Sequence, residues 1–130
     1  MSYDVDIYKV TKPACEQCSH AEEREHVFDS NYTSNIAYAM YEAAKVFFEA
    51  NGLKWVDGSS WFYDLIMKKK ASDVEPLLRF TVHFMRENHE RLQKGEPENG
   101  WGSIERCATW LERVANACKE YPDGIMDGSA

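Results

Sequence analysis

Two cysteines, Cys15 and Cys18, are separated by two residues, and His20 and His26 follow closely in the chain. That spacing lets two thiolates reach one tetrahedral zinc ion from a single turn, with the two imidazoles completing four ligands. Four protein ligands leave no open position, so such a zinc would be structural. There is no second Cys-x2-Cys pair and no histidine pair at finger spacing, so a plain surface turn stays open as an alternative. A redox role fits less well, because Pro13 and the polar residues around the pair suggest a strand-to-strand turn and not a helix start.

A second set of residues points to ligand binding. In Glu98-Asn99-Gly100-Trp101-Gly102-Ser103 an indole is flanked by glycines just before an expected helix start. Glycines let a ligand approach the backbone, first-turn amides are free to meet an anion, and the indole offers a stacking face. Asn99, Trp101, Ser103 and Arg106 are therefore candidate ligand contacts, as are Asn31, Thr33 and Asn35, whose amide and hydroxyl groups can hydrogen-bond a ligand or cap a helix. The competing reading of Trp101 is core packing around a tight interhelical turn.

Trp55, Trp61, Phe62 and Tyr63 crowd one connection beside Lys68, Lys69 and Lys70. They suit a base and phosphate, a loop anchor, or a protein-binding patch equally. His83, Glu87 and Glu90 share a helix face, as residues on any solvated helix do, and nothing else converges there. No nucleophile elbow, Walker loop or Gly-x-Gly-x-x-Gly run is present, which points away from catalysis.

The elements that must position these residues follow from periodicity. Tyr3, Val5 and Ile7 alternate with Asp4, Asp6 and Tyr8, which predicts a half-buried strand, and residues 23–28 predict its return. Residues 29–35 are rich in capping side chains, so a helix is expected to start at Thr33 or Ser34, carry Ile36, Met40, Ala43, Ala44 and Phe47 inward, and close at Asn51-Gly52. Ser72-Asp73-Val74-Glu75 has the form of a capping box. The helix after it buries Val74, Leu77, Leu78, Thr81, Val82, Met85 and Leu92, and Gly95 and Pro97 end it. A last helix from about Ser103 buries Ile104, Cys107, Ala108, Leu111, Ala115 and Cys118 and stops at Pro122, with residues 123–126 available as a third strand. The expected fold class is α+β: a short antiparallel sheet of two or three strands packed with three amphipathic helices. One domain over residues 3–126 is expected, with loose ends at 1–2 and 127–130.

The charge balance narrows the partners. With 22 acidic against 15 basic residues and a net charge of -7, the chain lacks the concentrated basic face that duplex nucleic acid requires. No apolar run approaches the roughly 20 residues that span a bilayer, and the first ten residues do not read as a secretion signal. The expected location is the cytoplasm, where the four cysteines stay reduced.

The order Asn31-Tyr32-Thr33-Ser34-Asn35, Pro97-Glu98-Asn99-Gly100-Trp101-Gly102-Ser103, a helix with Cys118, and Tyr121-Pro122 resembles a family of small phage and prophage accessory proteins over residues 3–126. Relatives often carry histidine where this chain has Ser34. The resemblance implies a host bacterial cytoplasm and an anti-defence setting, with no activity attached. Joined to the residue reading, it leads to an expected role in binding and sequestering a nucleotide-derived small molecule without catalysis. The alternatives are a protein-binding inhibitor of a host defence enzyme or nuclease, and a small zinc-knuckle structural protein. Self-association is compatible with each.

Overall fold

The structure, a computed structural model, describes residues 2–15, 21–33, 37–56, 58, 60–96 and 103–129. Two long strands, β1 (Ser2–Lys12) and β2 (Glu23–Thr33), pair antiparallel, and a short β3 (Ile125–Ser129) pairs antiparallel on the other side of β1. The strand order is β2-β1-β3. Tyr3, Val5 and Ile7 join the hydrophobic core as the alternation predicts. Tyr8 is also buried, outside that core and beneath the Arg24 guanidinium, which lies 4.3 Å from its ring centroid. The α+β class holds.

Three long helices, α1 (Ala37–Ala50), α2 (Ala71–Glu87) and α4 (Ile104–Glu120), form the other layer, with one short helical turn, α3 (His89–Leu92), after α2. Helix α4 packs on β1 and β2, α2 lies along α4, and α1 packs on α2. Every α2 and α4 residue expected to face inward is buried. Gly52, at φ 67°, ends α1 through the left-handed conformation that glycine adopts freely. In the connection between α1 and α2, Trp61, Phe62 and Ile66 are buried, so half of the aromatic cluster serves as core.

Four expectations change. Strand β2 runs to Thr33 where a helix start was expected, because residues 29–33 pair with residues 2–6 across the hairpin. The end of the chain is not loose: Asp127, Gly128 and Ser129 pair with Asp6, Val5 and Asp4. The long second helix breaks at Asn88 into α2 and α3 before Gly95. Ser72 lies inside α2, whose N-cap is Lys70 without a side-chain cap bond. The first amides of α2 are met from afar, Ala71 donating to the Gly124 carbonyl at 2.7 Å and Ser72 to that of Pro122 at 3.0 Å, so no capping box is needed. Lys68 and Lys69 exchange backbone bonds with Met126, which extends the sheet beyond β3.

Candidate functional site: a cavity between strand β2 and helix α4

Helix α4 sorts its charges. Glu105 and Glu112 turn toward α2, where Arg86 lies 3.9 Å from the first and 2.8 Å from the second. That guanidinium holds the Glu112 carboxyl below its ordinary pKa. Arg106, Thr109 and Arg113 form another stripe, with no carboxylate three or four residues from either arginine. Of the six arginines in the chain, Arg24, Arg79, Arg86 and Arg91 are ion-paired. Among the described residues, Arg106 and Arg113 have no ion pair, and both line one cavity.

That cavity, of about 290 Å³, is lined by Tyr32, Glu105, Arg106, Thr109 and Arg113. Its wall is braced from the core. The Tyr32 ring stacks on Trp110 with centroids 5.2 Å apart and planes 18° apart, and the Trp110 indole N–H donates to Ser30 Oγ at 2.9 Å. Alternation along β2 is what brings Ser30 and Tyr32 to this face. At the start of α4, Ser103 is the N-cap and its hydroxyl accepts from the Arg106 amide at 3.1 Å, while Glu96 accepts from the Ile104 amide at 2.9 Å. Both groups satisfy helix amides, as expected of a well-capped terminus.

The Tyr32 hydroxyl is buried and has no aligned hydrogen-bond partner among the described residues. Burial pushes its pKa up; the nearby Ser103 amide and the Arg106 charge oppose the shift. The Ser103 backbone therefore lies close to this oxygen, and a buried hydroxyl whose hydrogen bonding is incomplete costs free energy. The other buried side-chain atom without a partner among the described residues is the Trp61 indole nitrogen, within the core.

The expected ligand residues divide. Arg106 lines the cavity, and Ser103 supports it as the cap. Asn31 and Thr33 do not contribute: strand alternation turns them to the opposite face of the sheet, where Asn31 donates to Asp4 and Thr33 bonds Ser2. Asn35, Asn99 and Trp101 lie outside the described residues, as do Cys18 and His20 of the zinc set. Of that set's other members, Cys15 follows the end of β1, and His26 sits within β2 opposite Tyr8, its ring 6.2 Å away. Among the described residues no group of three or more His, Cys, Asp or Glu side chains is placed to hold a metal ion. His83 and Glu87 pair at 3.0 Å on an exposed face.

Tyr32, Glu105, Thr109 and Arg113 are the cavity residues that the sequence reading missed. The signal was available in part: Arg106 and Arg113 are seven apart, hence on one helix face, with Thr109 between them. Comparison with known proteins finds no matching family model, no matching curated protein and no matching solved structure.

Proposed function

We propose that the chain is a non-catalytic binding protein that sequesters an anionic, nucleotide-type small molecule in the cavity between β2 and α4. What carries this reading is the convergence on one cavity of the two arginines that lack a carboxylate partner, beside an aromatic ring fixed by stacking. Guanidinium groups bind phosphate in a bidentate manner, and a ring held by its neighbour offers an ordered surface to a base. In the phage-type setting that the sequence motifs suggest, such binding would withhold a host nucleotide signal. Calorimetry with adenosine 5′-monophosphate, cyclic nucleotides and ADP-ribose tests it. Heat is expected from at least one of them, with affinity falling about tenfold or more in Arg106→Gln, since hydrogen bonds to charged groups contribute about 1.5–3 kcal/mol. The reading fails if none of these ligands produces heat.

One observation favours a second reading, a protein-binding surface. Phe47, Phe48, Leu53, Leu65, Val74 and Leu77 line most of a cavity of about 420 Å³ that Asp64, Lys69 and Asp73 complete, and Leu53, Val56 and Tyr63 are more than half exposed. Apolar surface of this kind marks interaction sites. A stoichiometric host protein retained by the wild-type chain and lost with Leu53→Asp would support it.

A further inference from the structure

The two unpaired arginines are not equivalent, and their arrangement narrows the ligand class. Arg106 lies in the first turn of α4 and Arg113 lies about two turns further along it, both lining the same cavity. Seven residues along a helix correspond to a rise of about 10.5 Å. Thr109 stands midway on the same stripe with its side chain lining the cavity. Along this wall the order is thus cation, hydroxyl, cation, and the ring of Tyr32 stacks on Trp110, which lies between the two cations in the helix sequence.

Neither arginine has a carboxylate three or four residues away along the helix, Glu112 is held by Arg86, and Glu105, 3.9 Å from Arg86, also lines the cavity. A ligand with one phosphate would compensate one guanidinium and leave the other bare. A compact diphosphate would concentrate its charge at one end in the same way. A ligand with two phosphates separated by a sugar would meet both cations, with Thr109 beside the sugar between them and the Glu105 carboxylate available to accept from a hydroxyl or an amine. We propose that the preferred ligand is a nucleoside bisphosphate, or a dinucleotide with equally separated phosphates. The proposal rests on the reading of this cavity as a nucleotide site.

Calorimetry on the full chain tests it with adenosine 5′-monophosphate, adenosine 5′-diphosphate and adenosine 3′,5′-bisphosphate. The bisphosphate is expected to bind about tenfold or more tightly than either of the others, the effect of about one additional charge-assisted contact. Arg113→Gln should erase that preference, bringing the bisphosphate down to the affinity of the other two ligands, and Arg106→Gln should weaken all three. Unchanged thermal midpoints would show that both variants fold. Equal affinity for monophosphate and bisphosphate, or an equal loss for all three ligands in Arg113→Gln, would overturn the two-phosphate proposal while leaving the nucleotide site intact. Heat from none of the three would overturn the proposal, and the absence of heat from the wider panel as well would remove the site reading with it.

Discussion

The seam where residues 68–73 meet residues 122–127 and the cavity between β2 and α4 are built on opposite principles. At the seam, backbone groups freed by a helix start and a sheet edge find each other across about fifty residues of chain, through bonds such as Ala71 to Gly124 and Met126 to Lys69. Lys68 is held there at φ 63°, a conformation that non-glycine residues seldom adopt, and its ammonium pairs with Asp127 at 3.2 Å. At the cavity, among the described residues, two guanidiniums have no ion pair and a buried hydroxyl has no hydrogen-bond partner. Both regions rest on the same core, so poor packing does not explain the difference. At the seam the backbone groups meet one another, whereas at the cavity the two guanidiniums have no ion pair among the described residues, and a ligand would supply it.

The comparison can be broken first at the shared core. Trp110 is 1% exposed, stacks on Tyr32 and bonds Ser30, so Trp110→Ala should lose about 3–5 kcal/mol in denaturant unfolding and flatten the cavity wall. A loss below about 1 kcal/mol would mean that the wall is not braced as described.

At the sheet's closing edge, Gly128 sits at φ 135°, and a Cβ there would collide with the Asp4 carbonyl oxygen. Gly128→Ala should cost about 1–3 kcal/mol, with faster amide exchange along β3 and unchanged ligand affinity. Loss of ligand affinity at full stability would show that the two regions are coupled.

A smaller effect, of opposite sign, is expected on the outer face of the sheet. Asp29, Asp6 and Asp127 lie directly opposite one another across the three strands. Burial, and then the facing Asp29, push the Asp6 carboxyl above its ordinary pKa, while His26 opposes the shift. The folded state therefore holds this proton more tightly than the unfolded state does. Its contribution is complete below the ordinary carboxylate range and is lost as the pH rises through the raised value. Asp6→Asn should stabilise the protein at neutral pH by about 0.2–1 kcal/mol and flatten that part of the stability profile. A destabilised variant would show that the carboxylate is needed.

The smallest change in stability belongs to the cavity itself. Arg113→Gln should alter unfolding free energy by no more than about 0.5 kcal/mol, because it removes a surface cation that has no ion pair among the described residues. By contrast, Arg86→Gln breaks an ion pair that the fold does use, and its cost should be measurable at low salt and fade at high salt. If Arg113→Gln destabilises more than Arg86→Gln, the distinction between unused and used cations fails.

Where one periodicity dominated, the sequence revealed the fold. The inward stripes of α2 and α4 and the alternation of Tyr3, Val5 and Ile7 were legible because burial and local geometry agree there. Legibility failed where local chemistry competes with distant pairing. Asp29, Ser30, Asn31 and Thr33 suit a helix cap, yet the residues opposite them in β1 draw them into a strand. Once that segment is taken for a helix start, period-two alternation is hidden, and Tyr32 cannot be seen to share a face with Trp110 while Asn31 and Thr33 turn away. The Ser72 capping box failed for a related reason, since carbonyls some fifty residues later occupy the positions its side chains would have filled. Arg106 was found as part of a helix start, and Arg113 was missed because the polar side of α4 was not read for the separation of its charges.

The most direct test is nuclear magnetic resonance of the six arginine Nε–H groups while adenosine 3′,5′-bisphosphate is titrated into the full chain. Arg106 and Arg113 should shift and saturate together, while Arg24, Arg79, Arg86 and Arg91, held by carboxylates, stay in place. Saturating shifts at the four paired arginines with none at Arg106 or Arg113, or no shift at any of the six, would contradict a binding site at the β2–α4 cavity.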